Sequence, residues 1–475
     1  MLNRASSFWA RLDWITVGVY FLLVFLGWLN IYAAVYDQDH QNIFDISQKY
    51  GMQLLWIGAS VILIIMIFLV DSRFYAAFPY PIYALVLILL LLVLAFGKEV
   101  NGAKSWIDLG LIRLQPAEFA KLSTALALAK FTSTYNFKLL KFRNLLIVGA
   151  IMFTPSLLIL LQNDTGSALV YSSLILVLYR EGLPGWVLVL LAFIVILFIL
   201  TLLHGVGTVA FIILGLMLLY YYFNARDFRT SLIAFGILLI AYSIPYAFNY
   251  FEWFSIPTNL LIIVPFVFAS IIFVYFAYRK NINRIYSIVG ITLLSLMFIL
   301  TVDYGFNNVL IQHQRDRINN LLGIEFDPLG AGYNVNQSLI AIGSGGFSGK
   351  GYLQGTQTKY DFVPEQSTDF IFCTVGEEWG FLGTSSILLL FTFLLIRILI
   401  IAERQKSSFT RIYAYGVASI FFFHLIINVG MTIGLAPVIG IPLPFFSYGG
   451  SSLWAFTILL FILLRLDVSR DQLLN

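Results

Sequence analysis

The chain reads as an all-α polytopic membrane protein with about fourteen transmembrane helices, and three observations predict this. Of its 475 residues, 60% are hydrophobic and 11% are charged, against about 25% charged in a soluble domain. Mean hydropathy is +0.90. Apolar runs of about 20 residues, the length that crosses hydrocarbon, recur along the chain.

The first span is expected at 14–35. The preceding MLNRASSFWARLDW has no small-residue cleavage site, so the segment reads as a retained helix rather than a signal peptide. Further runs follow at 50–70, 75–96, 116–133, 144–161, 166–180, 185–203, 207–223, 230–250, 257–278, 285–305, 369–396, 411–433 and 443–466. The runs at 166–180 and 207–223 are short, which leaves room for one merger or split. With the N-terminus inside, alternation puts Arg4, Arg11, Arg73, Lys138, Lys141, Arg143, Arg180, Arg226, Arg229 and the basic clusters at 279–284, 397–411 and 465–470 on the inner side. The other side holds Lys49, Lys98, Lys104, Arg113 and the few basic groups of one long loop. This asymmetry predicts both termini inside and Asn307–Ser367 outside. No appended soluble domain, low-complexity tract or internal repeat is visible. The single Cys373 excludes an intrachain disulfide and reads as a small apolar helix residue.

Polar residues stand out against this background. Phe326–Phe372 is glycine-rich and acid-bearing, the kind of surface segment that commonly carries chemistry. In LQPAEFAKL, Pro116 suits a first helical turn, Glu118 complements the helix dipole, and Glu118 and Lys121 share a face. They read either as a structural ion pair or as groups beside an anionic substrate. Asp164, in QNDTGSALV, reads as a helix cap or as a cavity-lining acid, with capping favoured. Arg315 and Arg317 suit forked phosphate binding or a solvated basic pair. Asp327, before Pro328 and two glycines, reads as a turn cap or a general base. Glu365 and Asp369 flank a helix start, where acids are tolerated; Glu377 and Glu378 lie deeper. His40, His204, His313 and His424 lack metal-ligand spacing, so no zinc site is supported. No Walker motif, dinucleotide fingerprint or nucleophile elbow occurs, and GSGG resembles a phosphate cradle only loosely. Nothing calls for nucleic acid.

Several stretches together resemble the SEDS family, in its RodA branch. They are NGAKSWIDLG (101–110), LQPAEFAKL (114–122), QNDTGSALV (162–170), DPLGAGY (327–333), QSLIAIGSGGFSGKGYLQGTQ (337–357), FVPEQSTDFIF (362–372), GEEWGFLG (376–383) and IGIPLPFFSYGGSS (439–452). Members usually have about ten spans, which implies a core plus about four inserted helices. The expected division is a core part at 1–203, inserted helices at 204–305, an extracytoplasmic catalytic loop at 306–368 and core helices at 369–475. Two positions depart from the pattern: the usual QPD is QND here, and the usual His before TDFIF is Ser367.

The resemblance implies a peptidoglycan glycosyltransferase of the bacterial cytoplasmic (inner) membrane. It would polymerise lipid II during elongation, beside a class B penicillin-binding protein. One inverting displacement fits an α-linked donor and a β-1,4 product. Asp327 would be the general base. Arg315, Arg317, Lys121 and Lys350 would meet the diphosphate, with a divalent cation (Mg or Mn) as a further stabiliser. Gln337, Glu365 and Asp369 would line the sugar site, with Glu118 and Asp164 nearby. The alternatives are a lipid II flippase or a non-enzymatic scaffold.

Overall fold

The computed structural model describes residues 9–36, 43–225 and 284–470, apart from positions 101, 109, 111, 112, 311, 325–329, 331 and 361, with scattered positions between 232 and 279. The chain forms two compact units, Met1–Pro184 with Asp327–Asn475, and Gly185–Phe326.

The first unit begins with α1 (Trp14–Ala34), capped by Asp13, whose Oδ1 accepts the Thr16 amide at 3.0 Å. Then come α2 (Lys49–Leu69), the short α3 (Ser72–Ala77) and α4 (Pro79–Phe96). Three strands, β1 (Lys98–Val100), β2 (Ala103–Asp108) and β3 (Arg113–Leu114), form an antiparallel sheet in that order. This sheet amends the all-α expectation. Next are α5 (Pro116–Thr132), α6 (Phe142–Leu161), α7 (Thr165–Leu169), a 3-10 segment and α8 (Ile175–Arg180). The unit resumes with α12 (Tyr333–Gly345), α13 (Thr356–Lys359), α14 (Ile371–Glu403), α15 (Ser408–Thr432) and α16 (Gly450–Val468). The second unit holds α9 (Gly185–Ala225), α10 (Arg284–Asn308) and α11 (Gln312–Leu321).

Among the described residues, nine helices are long and apolar enough to cross a membrane. The described residues do not confirm the expected count of fourteen. The expected runs at 185–203 and 207–223 correspond to two helices within α9 that meet at a kink at Gly205 (φ 75°, ψ 161°). A glycine there lets the chain leave helical geometry without a Cβ penalty. The expected runs at 230–250 and 257–278 lie largely outside the described residues. The run at 166–180 is broken by the 3-10 segment, and α5 has 17 residues.

Contacts in the first unit fix which helix ends meet. Asp13 at the start of α1 pairs with Arg397 near the end of α14 (2.5 Å). Arg404 bridges Asp13 and the fully buried Asp467 at the end of α16. Gln405 Nε2 donates to Asp467 at 2.7 Å, and Arg465 donates to the Val70 carbonyl at the end of α2. At the opposite end, Lys49 meets Ser367, and Ser451 Oγ donates to the Arg113 carbonyl. Midway, the Tyr20 hydroxyl lies 3.0 Å from Thr457 and 3.3 Å from Ser60, joining α1, α2 and α16. Its ring meets Phe445 and Phe461 edge-on. In the second unit, Val209, Ile213 and Met217 of α9 pack in one cluster with Val289, Leu296 and Ile299 of α10.

Arg404→Ala leaves Asp467 and Asp13 without their shared cation. Loss of one partner of a buried pair costs about 3 kcal/mol, discounted here because Arg404 is part-exposed. A clear drop in thermal midpoint in detergent is expected; an unchanged midpoint would show that water replaces the guanidinium freely.

Candidate active site

The end of the first unit that carries the small sheet gathers polar side chains from six segments. Ser451 Oγ, at the start of α16, accepts the Gln115 amide at 3.2 Å while donating to the Arg113 carbonyl at 2.8 Å. The Lys104 amide donates to the Gln162 carbonyl at 2.9 Å. The strands and α5 are thereby held against the α6–α7 turn.

In that turn Asp164 caps α7. Its Oδ1 accepts the Ser167 amide (3.0 Å), and its Oδ2 accepts from Ser167 Oγ and from Gln115 Nε2 (2.9 Å each). Asn163 before it has φ 62°. Proline is locked near φ −65° and cannot take this conformation, whereas asparagine tolerates it. The QND departure is thus matched by a left-handed backbone. Gly166 faces the Ile439 carbonyl, which a Cβ would meet at 2.1 Å, so α7 lies directly on the segment before α16.

Across from Asp164 is the 365–369 turn. Glu365 (φ 52°) accepts the Thr368 hydroxyl at 3.0 Å, and its carbonyl accepts the Thr368 and Phe370 amides at 3.1 Å. Asp369 is only partly exposed. Burial first, then the negative charges of Glu365 and Asp164, push its carboxyl up to about 7. Asp164, Glu365 and Asp369 therefore converge. Lys49 Nζ donates to Ser367 Oγ at 3.0 Å and lies 6.0 Å from the Tyr448 ring centroid. As the first residue of α2, Lys49 opposes its own helix dipole, and these neighbours offset that cost.

The glycine-rich stretch serves backbone packing. A Cβ at Gly345 would sit 2.0 Å from the Gly376 carbonyl oxygen, and one at Gly349 (φ 82°) 2.1 Å from the Glu378 carbonyl oxygen. α14 breaks at Gly380 (φ 62°), and the freed amides of Phe381 and Leu382 donate to the carbonyls of Gly346 and Phe347 (2.9 and 3.1 Å). No phosphate cradle is needed to explain these glycines. Glu377, fully buried, fastens the same segment. Its carboxylate accepts the Thr356, Gln357 and Thr358 amides at 2.7–2.9 Å, the Thr358 hydroxyl at 2.9 Å and Lys350 Nζ at 2.7 Å. Lys350 is thus committed to Glu377 and Thr356 rather than presented to a diphosphate.

Lys121 and Glu118 form the structural pair that was one of their two readings. Lys121 is 1% exposed and Glu118 2%. The ammonium donates to Glu118 Oε2 at 2.8 Å and to His424 Nε2 at 3.0 Å, and faces the Phe456 ring at 5.0 Å. Its donors are taken up inside the bundle, so it is not placed to meet a diphosphate. Gln337 is half-buried on α12. Arg315, which donates to the Asn307 carbonyl at 3.2 Å, and Arg317 belong to the second unit. Asp327 lies outside the described residues. Sequence reading overlooked Lys49, Gln115, His424 and Asn428. The signal for the last two was available, since both are polar residues in an otherwise apolar run.

Among the described residues, no group of three His, Cys, Asp or Glu side chains is arranged to hold a metal ion.

The profile of the FtsW/RodA/SpoVE family, described as cell cycle proteins, matches residues 13–206 and 258–472. The peptidoglycan glycosyltransferase RodA of Treponema pallidum (strain Nichols) is 32% identical over 452 residues, covering 93% of this chain and 94% of that protein. The peptidoglycan glycosyltransferase MrdB of Escherichia coli (strain K12) is 31% identical over 451 residues, covering 94% and 92%. A chain from a solved peptidoglycan synthase complex aligns with TM-score 0.61 at 26% identity, covering 97% of this chain and 99% of that one. Thermus thermophilus RodA shares the fold, with TM-score 0.55 at 22% identity and 97% of both chains covered.

Two outcomes follow from the geometry. Glu377→Ala frees the 350–359 segment, and trypsin should cut after Lys350 and Lys359 about 5- to 10-fold faster, as for a locally opened segment; unchanged cleavage would show that the glycine packing suffices. Asp369 carries a raised carboxyl, so its burial destabilises the fold increasingly as pH rises from its ordinary 3.8 to about 7. Asp369→Asn removes that penalty. Its gain in thermal midpoint over the parent should therefore grow between those pH values and level off above them, and a pH-independent difference would refute the assignment.

Proposed function

The chain belongs to the FtsW/RodA/SpoVE family, and on that premise we propose that it is a peptidoglycan glycosyltransferase that polymerises lipid II at one membrane surface. The observation that carries the reading, beside the family match, is the gathering of Asp164, Glu365, Asp369, Lys49 and Gln115 at a single end of the first unit. On this reading that end of the unit, with its polar groups, faces one aqueous surface. Arg180, Arg397, Arg404 and Arg411 cluster at the opposite end, which supports a cytoplasmic location for that end and an outer location for the site.

The reaction joins an acceptor 4-hydroxyl to the anomeric carbon of a diphosphate-linked donor with one inversion. A carboxylate must take the hydroxyl proton as attack proceeds. Asp327, in DPLGAGY directly before α12, is our candidate for that base. Asp369 and Glu365 would orient sugar hydroxyls by hydrogen bonding. Lys49 and Arg113 are cations of the first unit's site, and stabilising the leaving diphosphate would fall to them; Arg315 and Arg317 of the second unit are separate candidates for forked phosphate binding. The described acids do not form a metal cage; a Mg or Mn ion would travel with the substrate's diphosphate, and no step here depends on it. A class B penicillin-binding protein as cross-linking partner is supported by the likeness to a chain of a peptidoglycan synthase complex.

Purified full-length protein, with a class B penicillin-binding protein and a divalent cation, should convert labelled lipid II into a ladder of glycan strands. Asp327→Asn should lower the rate by about 10²–10⁴-fold, the usual contribution of a general base. A ladder from both would move the base elsewhere. No ladder from folded parent protein would favour the flippase or scaffold alternative.

A further inference from the structure

His424 is buried on α15, and its two ring nitrogens face different partners. Nδ1 lies 3.0 Å from the Pro442 carbonyl oxygen, and Nε2 lies 3.0 Å from Lys121 Nζ. A carbonyl oxygen can only accept, so Nδ1 carries the proton; an ammonium can only donate, so Nε2 is bare. Both contacts are satisfied only by the neutral imidazole in this tautomer. The ring also stands edge-on to Phe456 at 4.8 Å, which fixes its plane.

The segment that His424 grips through Pro442 is bonded to the 365–369 turn. Ser447 Oγ donates to the Thr368 carbonyl at 2.6 Å, and the Tyr448 amide donates to the Ser367 carbonyl at 2.9 Å. Asn428, one turn beyond His424 on α15, donates to the Ile441 carbonyl at 2.7 Å and the Asp369 carbonyl at 2.8 Å. Gly440 (φ 68°) lies against the Asp369 carboxyl, which a Cβ would meet at 3.4 Å. A continuous chain of contacts thus runs from Glu118 through Lys121, His424 and Pro442 to Asp369.

We propose that His424 is a positioning residue that couples the buried Glu118–Lys121 pair to the turn bearing Glu365 and Asp369. The ion pair is rigid because its ammonium has no route to water. His424 converts that rigidity into a fixed height for the 439–448 segment, and the segment fixes the turn. The proposal rests on the reading that this turn lines the substrate site.

The two halves of the contact can be cut separately. His424→Gln places an acceptor near the Nε2 position and loses the Pro442 bond. His424→Asn places a donor near the Nδ1 position and loses the Lys121 bond. His424→Phe keeps the ring shape and loses both. Each variant is assayed for polymerisation of lipid II per folded protein, by kcat and KM. Each is also made in a Glu365→Cys background carrying a nitroxide label, which is selective because Cys373 is buried. A misplacement of the turn by a fraction of an ångström should lower kcat by about 10- to 100-fold with KM little changed. Gln and Asn should each lose nearly as much as Phe, because a coupling fails when either link is cut. The label should become more mobile in all three.

Parent-like kcat in the Gln and Phe variants would overturn the proposal. A loss of kcat with an unchanged label spectrum would also overturn it, since His424 would then act by another route. So would a loss of activity that merely tracks folded yield. If the parent protein makes no polymer, the glycosyltransferase reading fails instead, and the label spectra alone still decide the mechanical coupling.

Discussion

Lys121 places the strictest demand on the first unit, because an ammonium held away from water inside an apolar bundle has to use its donors on protein groups. It does so on Glu118, His424 and the face of Phe456, which draws α5, α15 and α16 to one point. Such a network stabilises little by itself, since desolvation consumes most of the Coulombic gain. What it supplies is uniqueness: any other register of these helices would leave a buried charge unpaired. The same solution recurs at the opposite end, where Asp467 collects Arg404, Gln405 and Arg470. Glu377 repeats it between α13 and α14.

Against these closed networks, the 164/365/369 cluster differs in kind. Burial first, then the negative charges of Glu365 and Asp164, push the Asp369 carboxyl up to about 7. Like-charged carboxyls gathered in this way, one with a raised pKa, mark a candidate functional site. Lys49 and Arg113 stand beside it, the latter shared with Asp108 across the strand pair. The arrangement suits a ligand with sugar hydroxyls and phosphate, which presents donors and negative charge on adjacent groups.

Much of this was legible in the sequence. Hydrophobic run length located α1, α2, α4, α6, α10 and α15 within a few residues, because a helix in lipid must bond its own backbone and be apolar throughout. Pro116 and Glu118 marked the start of α5, and Asp164 marked a cap that the structure contains. Other features were hidden for physical reasons. The glycines of 343–355 read as a cradle or as packing residues until their neighbours are known, and Gly345 and Gly349 prove to face carbonyls of α14. The sheet at 98–114 is too short for a period-2 pattern to register. His424 stood out as a polar residue in an apolar run, but its partner Lys121, distant by 303 positions in the chain, could not be read from the sequence.

The contrast between closed and open polar groups also weighs on what the first unit does. A carrier that moves a headgroup between leaflets needs polar side chains along its path that can exchange partners with the cargo. Among the ionisable groups drawn into this bundle, Glu118 and Lys121 are bonded to protein with almost no exposure. Releasing them would uncover a charge in hydrocarbon, which is among the costliest events available to a membrane protein. The groups that remain able to exchange partners lie instead at one end, on short strands, helix starts and the 365–369 turn. A substrate approaching there keeps its polar part at the surface and its lipid tail beside the helices. The contacts through Pro442 and Asn428 tie the 365–369 turn at that end to α15 inside the bundle.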